Sequence, residues 1–94
     1  MPRYAWIVTR NALAGKDVRV IGPSGATPEQ IAKLDAGEGA AFRLLDDDGE
    51  VNYLGRFLGD PKSQEAFGPL DDYGEPDSGC TGIQYREGGR WEYL

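Results

Sequence analysis

Ala40-Ala41-Phe42-Arg43-Leu44-Leu45, Asp46-Asp47-Asp48-Gly49 and Glu50-Val51-Asn52-Tyr53-Leu54-Gly55-Arg56-Phe57-Leu58 follow one another and read as strand, turn and strand. The flanks carry the aromatic and aliphatic residues that suit a half-buried pleated surface. Aspartates satisfy local backbone amides, and Gly49 supplies a positive φ. Loop length decides which side chains meet. A two-residue Asp48-Gly49 loop sets Asp47 opposite Glu50, an unfavourable like-charge pair. A four-residue loop pairs Leu44 with Val51 and Phe42 with Tyr53. Phe42, Leu44, Val51, Tyr53 and Phe57 then share one face, the core face. Leu54 and Leu58 fall on the opposite face, which predicts partial cover there too.

Toward the N-terminus, residues 4–10 read as another strand. Tyr4, Trp6 and Val8 point one way and Ala5, Ile7 and Thr9 the other, so both faces are apolar enough for a central position. Val18–Ile21 is a shorter strand. Gly22-Pro23-Ser24-Gly25-Ala26 breaks the chain. Thr27 is then a natural N-cap, Pro28 suits the first helical position, and Gln30 completes a capping box. This predicts a helix from Pro28 to about Ala36, stopped by Gly37 in a left-handed conformation and docked through Ile31 and Leu34. So short a helix depends on that docking for its stability.

Toward the C-terminus, residues 59–81 are dense in glycine, proline and aspartate. They read as a long ordered loop with one possible helical turn at Ser63–Phe67, anchored by Phe67, Leu70 and Tyr73. Gly82–Arg86 and Arg90–Leu94 close the chain as a hairpin around Glu87-Gly88-Gly89. The sum is an α+β fold: a mainly antiparallel five- or six-stranded sheet with one short helix packed on a face. Residues 1–94 suffice for a single domain.

Missing residue types bound the chemistry. There is no histidine, which removes Ser-His and Cys-His nucleophiles and most zinc and haem sites. Cys80 is the one cysteine, too few for an intrachain disulfide or a thiolate zinc site. With no histidine to activate it and acidic neighbours, it reads as a small buried hydrophobe. No apolar run is long enough for a membrane span, and no leader peptide is recognisable, so a cytoplasmic setting is expected. Gly, Ala, Arg and Pro outnumber Phe, Tyr, Met, Ile, Asn and Lys by 36 to 18, which suggests a GC-rich, bacterial coding source.

Charge is the strongest asymmetry. The chain carries a net −6, and all of it lies after residue 47. Residues 46–77 hold ten acids against Arg56 and Lys62. Such a field repels nucleic acid and anionic membranes and favours cationic partners. Asp71, Asp72, Tyr73, Glu75 and Asp77, on the longest connection, are the candidate partner surface, together with Trp91 near the C-terminus. If the terminal strands are neighbours, Tyr4, Trp6, Trp91 and Tyr93 form an aromatic patch.

Two other motifs invite a ligand and fit it poorly. Gly22–Thr27 joins a strand to a helix start, where phosphates bind, but lacks the residues of a phosphate loop. Asp46–Glu50 is carboxylate-rich, but its spacing is not that of a calcium loop. No cofactor or metal ligand is expected. The leading expectation is a small acidic, non-catalytic interaction or regulatory protein that binds a basic protein through residues 46–77, with no direct nucleic-acid or membrane binding. One alternative is a nucleic-acid mimic that inhibits a basic DNA-binding protein or nuclease. Another is a small-ligand-binding domain or carboxylate-based enzyme.

Overall fold

The computed structural model describes residues 3–94. Six strands form one antiparallel sheet: β1 (Ala5–Asn11), β2 (Lys16–Gly22), β3 (Ala40–Leu45), β4 (Val51–Leu58), β5 (Gly82–Glu87) and β6 (Arg90–Tyr93), in the order β2-β1-β4-β3-β5-β6. With helix α1 (Pro28–Asp35) and a bent helical segment at residues 64–78, this is the expected α+β architecture. The termini of the sheet do not meet. β1 and β6 are separated by β4, β3 and β5, so Trp6 and Trp91 do not form the terminal aromatic patch.

The central hairpin keeps its expected faces at Phe42, Leu44, Tyr53 and Phe57, but Val51, expected with them, stays outside that core because the bulge turns Asn52 inward, and the register also differs. The turn is Asp47-Asp48-Gly49, three residues, because the Asp46 carboxylate accepts the amides of Asp48 and Glu50 at 3.0 and 2.9 Å. Gly49 closes it at φ +77°. The ladder then jumps from Leu45↔Val51 to Leu44↔Tyr53, leaving Asn52 as a bulge, and Phe42 lies opposite Gly55. Leu44 therefore meets Tyr53 in place of Val51. The slip is two residues, and an even slip returns side chains to the same face. Phe42, Leu44, Tyr53 and Phe57 accordingly share one core with Trp6, Val8, Ile83 and Tyr85. The final hairpin also tightens by one residue. Glu87 pairs with Arg90 inside the ladder, and Gly88 and Gly89, both at positive φ, make a two-residue turn.

The sheet is covered on both faces, unequally. On one face α1 packs over β1 and β4, burying Leu34 against Ala5 and Ile7, with Ile21 and Leu58 at the margin. Thr27 caps α1 as the sequence predicts: its hydroxyl accepts the Gln30 amide at 3.1 Å, and the Gln30 side chain accepts the Thr27 amide at 2.9 Å. Thr27→Ala should cost about 1 kcal/mol. An unchanged urea midpoint would remove the cap from the list of stabilising contacts.

The other face is covered by residues 64–78, where the helical turn suggested at Ser63–Phe67 is present and the helical path continues through what the sequence suggested was loop. A 3₁₀ turn at Gln64–Phe67 leads into a π turn at Leu70–Gly74 and an α turn at Glu75–Ser78. Gly68, Pro69, Gly74 and Pro76 give this stretch poor intrinsic propensity, and packing overrides it. Phe67, Leu70 and Tyr73 recur at helical spacing and turn onto the core. A Cβ at Gly74 would lie 2.8 Å from Leu44 Cδ1 and 3.2 Å from Cys80 Cβ, so glycine permits the close approach. The Glu75 amide bonds the Leu70 carbonyl five residues back.

Candidate functional site

The bent segment fixes the acidic residues singled out by the sequence. Its inner side is held at four points. Leu70 is buried in the core. Tyr85 donates its hydroxyl to the Ala66 carbonyl at 2.7 Å. Tyr53 donates to Asp77 Oδ2 at 2.5 Å. Asn52, turned inward by the bulge and 2 % exposed, donates to Ser78 Oγ at 3.2 Å and to Cys80 Sγ at 3.4 Å. Gly79, at φ +71°, ends the segment. The Thr81 amide then bonds the Leu45 carbonyl and leads the chain into β5.

What remains outside is a ridge of carboxylates. Asp71, Asp72, Glu75 and Asp77 are exposed. Among the described residues no cation pairs with any of them. Tyr73 is not part of the exposed ridge in the same sense. It is half-buried, edge-on to Tyr53 with centroids 5.0 Å apart and tilted against Trp6 at 5.9 Å. It serves as the peg beneath the ridge.

The tyrosines under this surface remain protonated well above neutral pH. Burial raises the Tyr53 hydroxyl, and its bond to Asp77 adds to the rise. Burial likewise raises Tyr73, with the Asp77 charge adding to it. Tyr4, at the far end of the segment, is raised by burial and then by the charges of Asp72, Glu65 and Asp71. All three phenols can donate hydrogen bonds at neutral pH, and none is set up as a phenolate base.

The acid-rich stretch 46–77 is not one continuous surface. The Asp46–Glu50 turn and residues 77–81 share one end of the sheet, through the Thr81–Leu45 bond. Residues 59–65 lie at the end of β4, and their charges are partly matched: Lys62 pairs with Glu87 at 3.0 Å and Glu65 with Arg3 at 3.3 Å. The Asp46 carboxylate is spent on backbone amides.

Trp91 lies on the opposite side of the sheet from the ridge. Pairing of Arg86 with Trp91 and of Gln84 with Tyr93 puts all four on the face away from Ile83 and Tyr85. Arg43 joins them from β3: its Nε donates to Gln84 Oε1 at 2.7 Å, and its guanidinium stands 4.5 Å from the centre of the Trp91 ring. Leu54 pairs with Arg43 on the same face. The sequence reading found Trp91 and Tyr93, in a different grouping, but missed Arg43 and Arg86. The available signal was an arginine at strand positions out of phase with the core residues, and summing charge along the chain obscured it.

An open groove of about 550 Å³ runs past the start of α1, lined by Arg3, Thr27, Glu29, Lys33 and Leu58 among others. It is not an anion cradle, because Thr27 and Gln30 hydrogen-bond each other's amides, Pro28 has no amide, and Glu29 stands in the lining. Among the described residues no group of three His, Cys, Asp or Glu is placed to hold a metal ion, and no helix is long and apolar enough to cross a membrane. Compared with known proteins, the chain matches no family model, and no characterised sequence or solved structure is significantly similar to it.

Proposed function

We propose that this chain is a non-catalytic binding module that presents the Asp71-Asp72-Glu75-Asp77 ridge to a basic surface of another protein. One observation carries the reading: four exposed carboxylates without cation partners stand on a segment whose inner side is pinned to the core. A fixed array of charge speeds encounter with a cationic partner and sets its orientation, without the ordering cost of a mobile loop.

The test is Asp71→Lys with Asp72→Lys. Neither carboxylate makes a hydrogen bond or ion pair among the described residues, so the melting temperature should stay within a degree or two or rise slightly as local repulsion is relieved. A partner captured by the wild-type chain from its source cell should associate about tenfold more slowly with the variant, most visibly at low salt. Unchanged capture would remove the two aspartates from the contact surface, and a clear fall in melting temperature with binding intact would make them loop scaffolding.

A further inference from the structure

The chain itself carries a basic surface of charge opposite to the ridge. α1 covers β1 and β4 on its side of the sheet, and among the described residues no helix is packed over β3, β5 and β6 there. A row of paired residues crosses that area, Leu54 to Arg43 to Gln84 to Tyr93, and Arg86 and Trp91 stand beside it. Tyr93 is 62 % exposed. Arg56, at the margin next to α1, donates to the Gly39 carbonyl. Among the described residues none of Arg43, Arg56 and Arg86 has a carboxylate partner, although acids outnumber bases 16 to 10.

Unpaired arginine beside tryptophan and tyrosine is the composition of a binding surface. Arg43 is preset for it. Gln84 holds its Nε and Trp91 its flat side, so its terminal nitrogens are left to meet a carboxylate with little further ordering.

We infer that this open sheet face docks the acidic 71–77 ridge of a second copy of the chain. The inference rests on the ridge being a contact surface and names its partner. Two arginine faces cannot meet each other, since like charges would be opposed. The ridge lies on the other side of the same sheet, so a molecule cannot reach its own face. The contact is therefore head-to-tail. Each docked pair leaves one ridge and one sheet face open, so further copies add until a ring closes or a filament grows.

Sedimentation equilibrium of the full chain tests this. In about 50 mM salt the weight-average mass should climb with concentration past that of a dimer, and in about 0.5 M salt it should fall back toward the monomer. Arg43→Gln with Arg86→Gln should give a monomer, as should Asp71→Asn with Asp72→Asn. Mixed together, the two variants supply one working surface each and should stop at a one-to-one dimer. Near-UV circular dichroism verifies that both are folded. A wild-type chain that stays monomeric at low salt, or variants that associate as the wild type does, would overturn the inference. So would a monomer that binds labelled oligothymidylate and loses it in Arg43→Gln with Arg86→Gln, which would assign the face to nucleic acid. If the wild type is monomeric yet the ridge variant still loses a captured basic partner, self-docking fails and the ridge reading stands. If that capture survives as well, both fail.

Discussion

Phe42→Ala is expected to lower the free energy of unfolding by about 3–5 kcal/mol. Phe42 is fully buried and sits on the middle strand of the β4-β3-β5 triplet. Its ring lies over Gly55 on one side and 6.0 Å from the Tyr85 ring on the other. Tyr85 in turn stands edge-on to Phe57 at 5.7 Å. Deleting the ring opens a cavity whose walls are two hydrogen-bonded strands, and strands tied at both edges cannot collapse to refill it. The neighbouring Arg43→Ala should cost about 1 kcal/mol, because it removes one hydrogen bond and one cation–π contact at a partly exposed site. Urea denaturation of both variants checks the ordering. A larger loss for Arg43→Ala than for Phe42→Ala would mean that the arginine face, and not the aromatic one, organises the sheet.

Gly55→Ala should be comparably damaging, about 3 kcal/mol or more, although it adds only a methyl group. A Cβ at this position would stand 2.1 Å from the Ile7 carbonyl oxygen and 2.5 Å from Phe42 Cζ. The ring could rotate away, but the carbonyl is backbone in a neighbouring strand, next to the point where the β1–β4 register shifts. Relief requires β1 and β4 to separate. The double variant Phe42→Leu, Gly55→Ala distinguishes the causes. If the backbone clash dominates, trimming the ring recovers only a small part of the loss. Full recovery would show that the ring alone excludes the methyl group. Trp6 and Gly22 repeat the arrangement, since a Cβ at Gly22 would lie 2.2 Å from the Trp6 ring. In both places an aromatic side chain covers a glycine on the paired strand and shields its backbone.

The acidic ridge and the arginine face were not equally legible. The ridge is contiguous in sequence, so Asp71, Asp72, Glu75 and Asp77 could be singled out from spacing and charge alone. That they stand fixed could not, because the pins are Tyr53, Asn52 and Tyr85 from β4 and β5. Arg43, Arg86 and Trp91 come from three strands, and only the order β3-β5-β6 sets Gln84 between Arg43 and Trp91.

By itself the sequence determined what depends on neighbours along the chain. The Thr27-Pro28-Glu29-Gln30 cap starts α1, because all its hydrogen bonds lie within one turn. Alternation put Trp6 and Val8 on one side of their strand and Phe42, Leu44, Tyr53 and Phe57 on one face of the hairpin, and this survived a two-residue error of register because the strand period is two; that the two sets meet in one core came from strand order. Tertiary structure decided the rest. It made residues 64–78 helical against their glycine and proline content, since burying Leu70 and Ala66 on the sheet outweighs the poor local propensity of the segment. It also separated charge between the two faces of one sheet. A net charge of −6 is a sum over the chain. Which surface is acidic and which is basic depends on strand order and on the side of the sheet each residue occupies, and a sum holds neither.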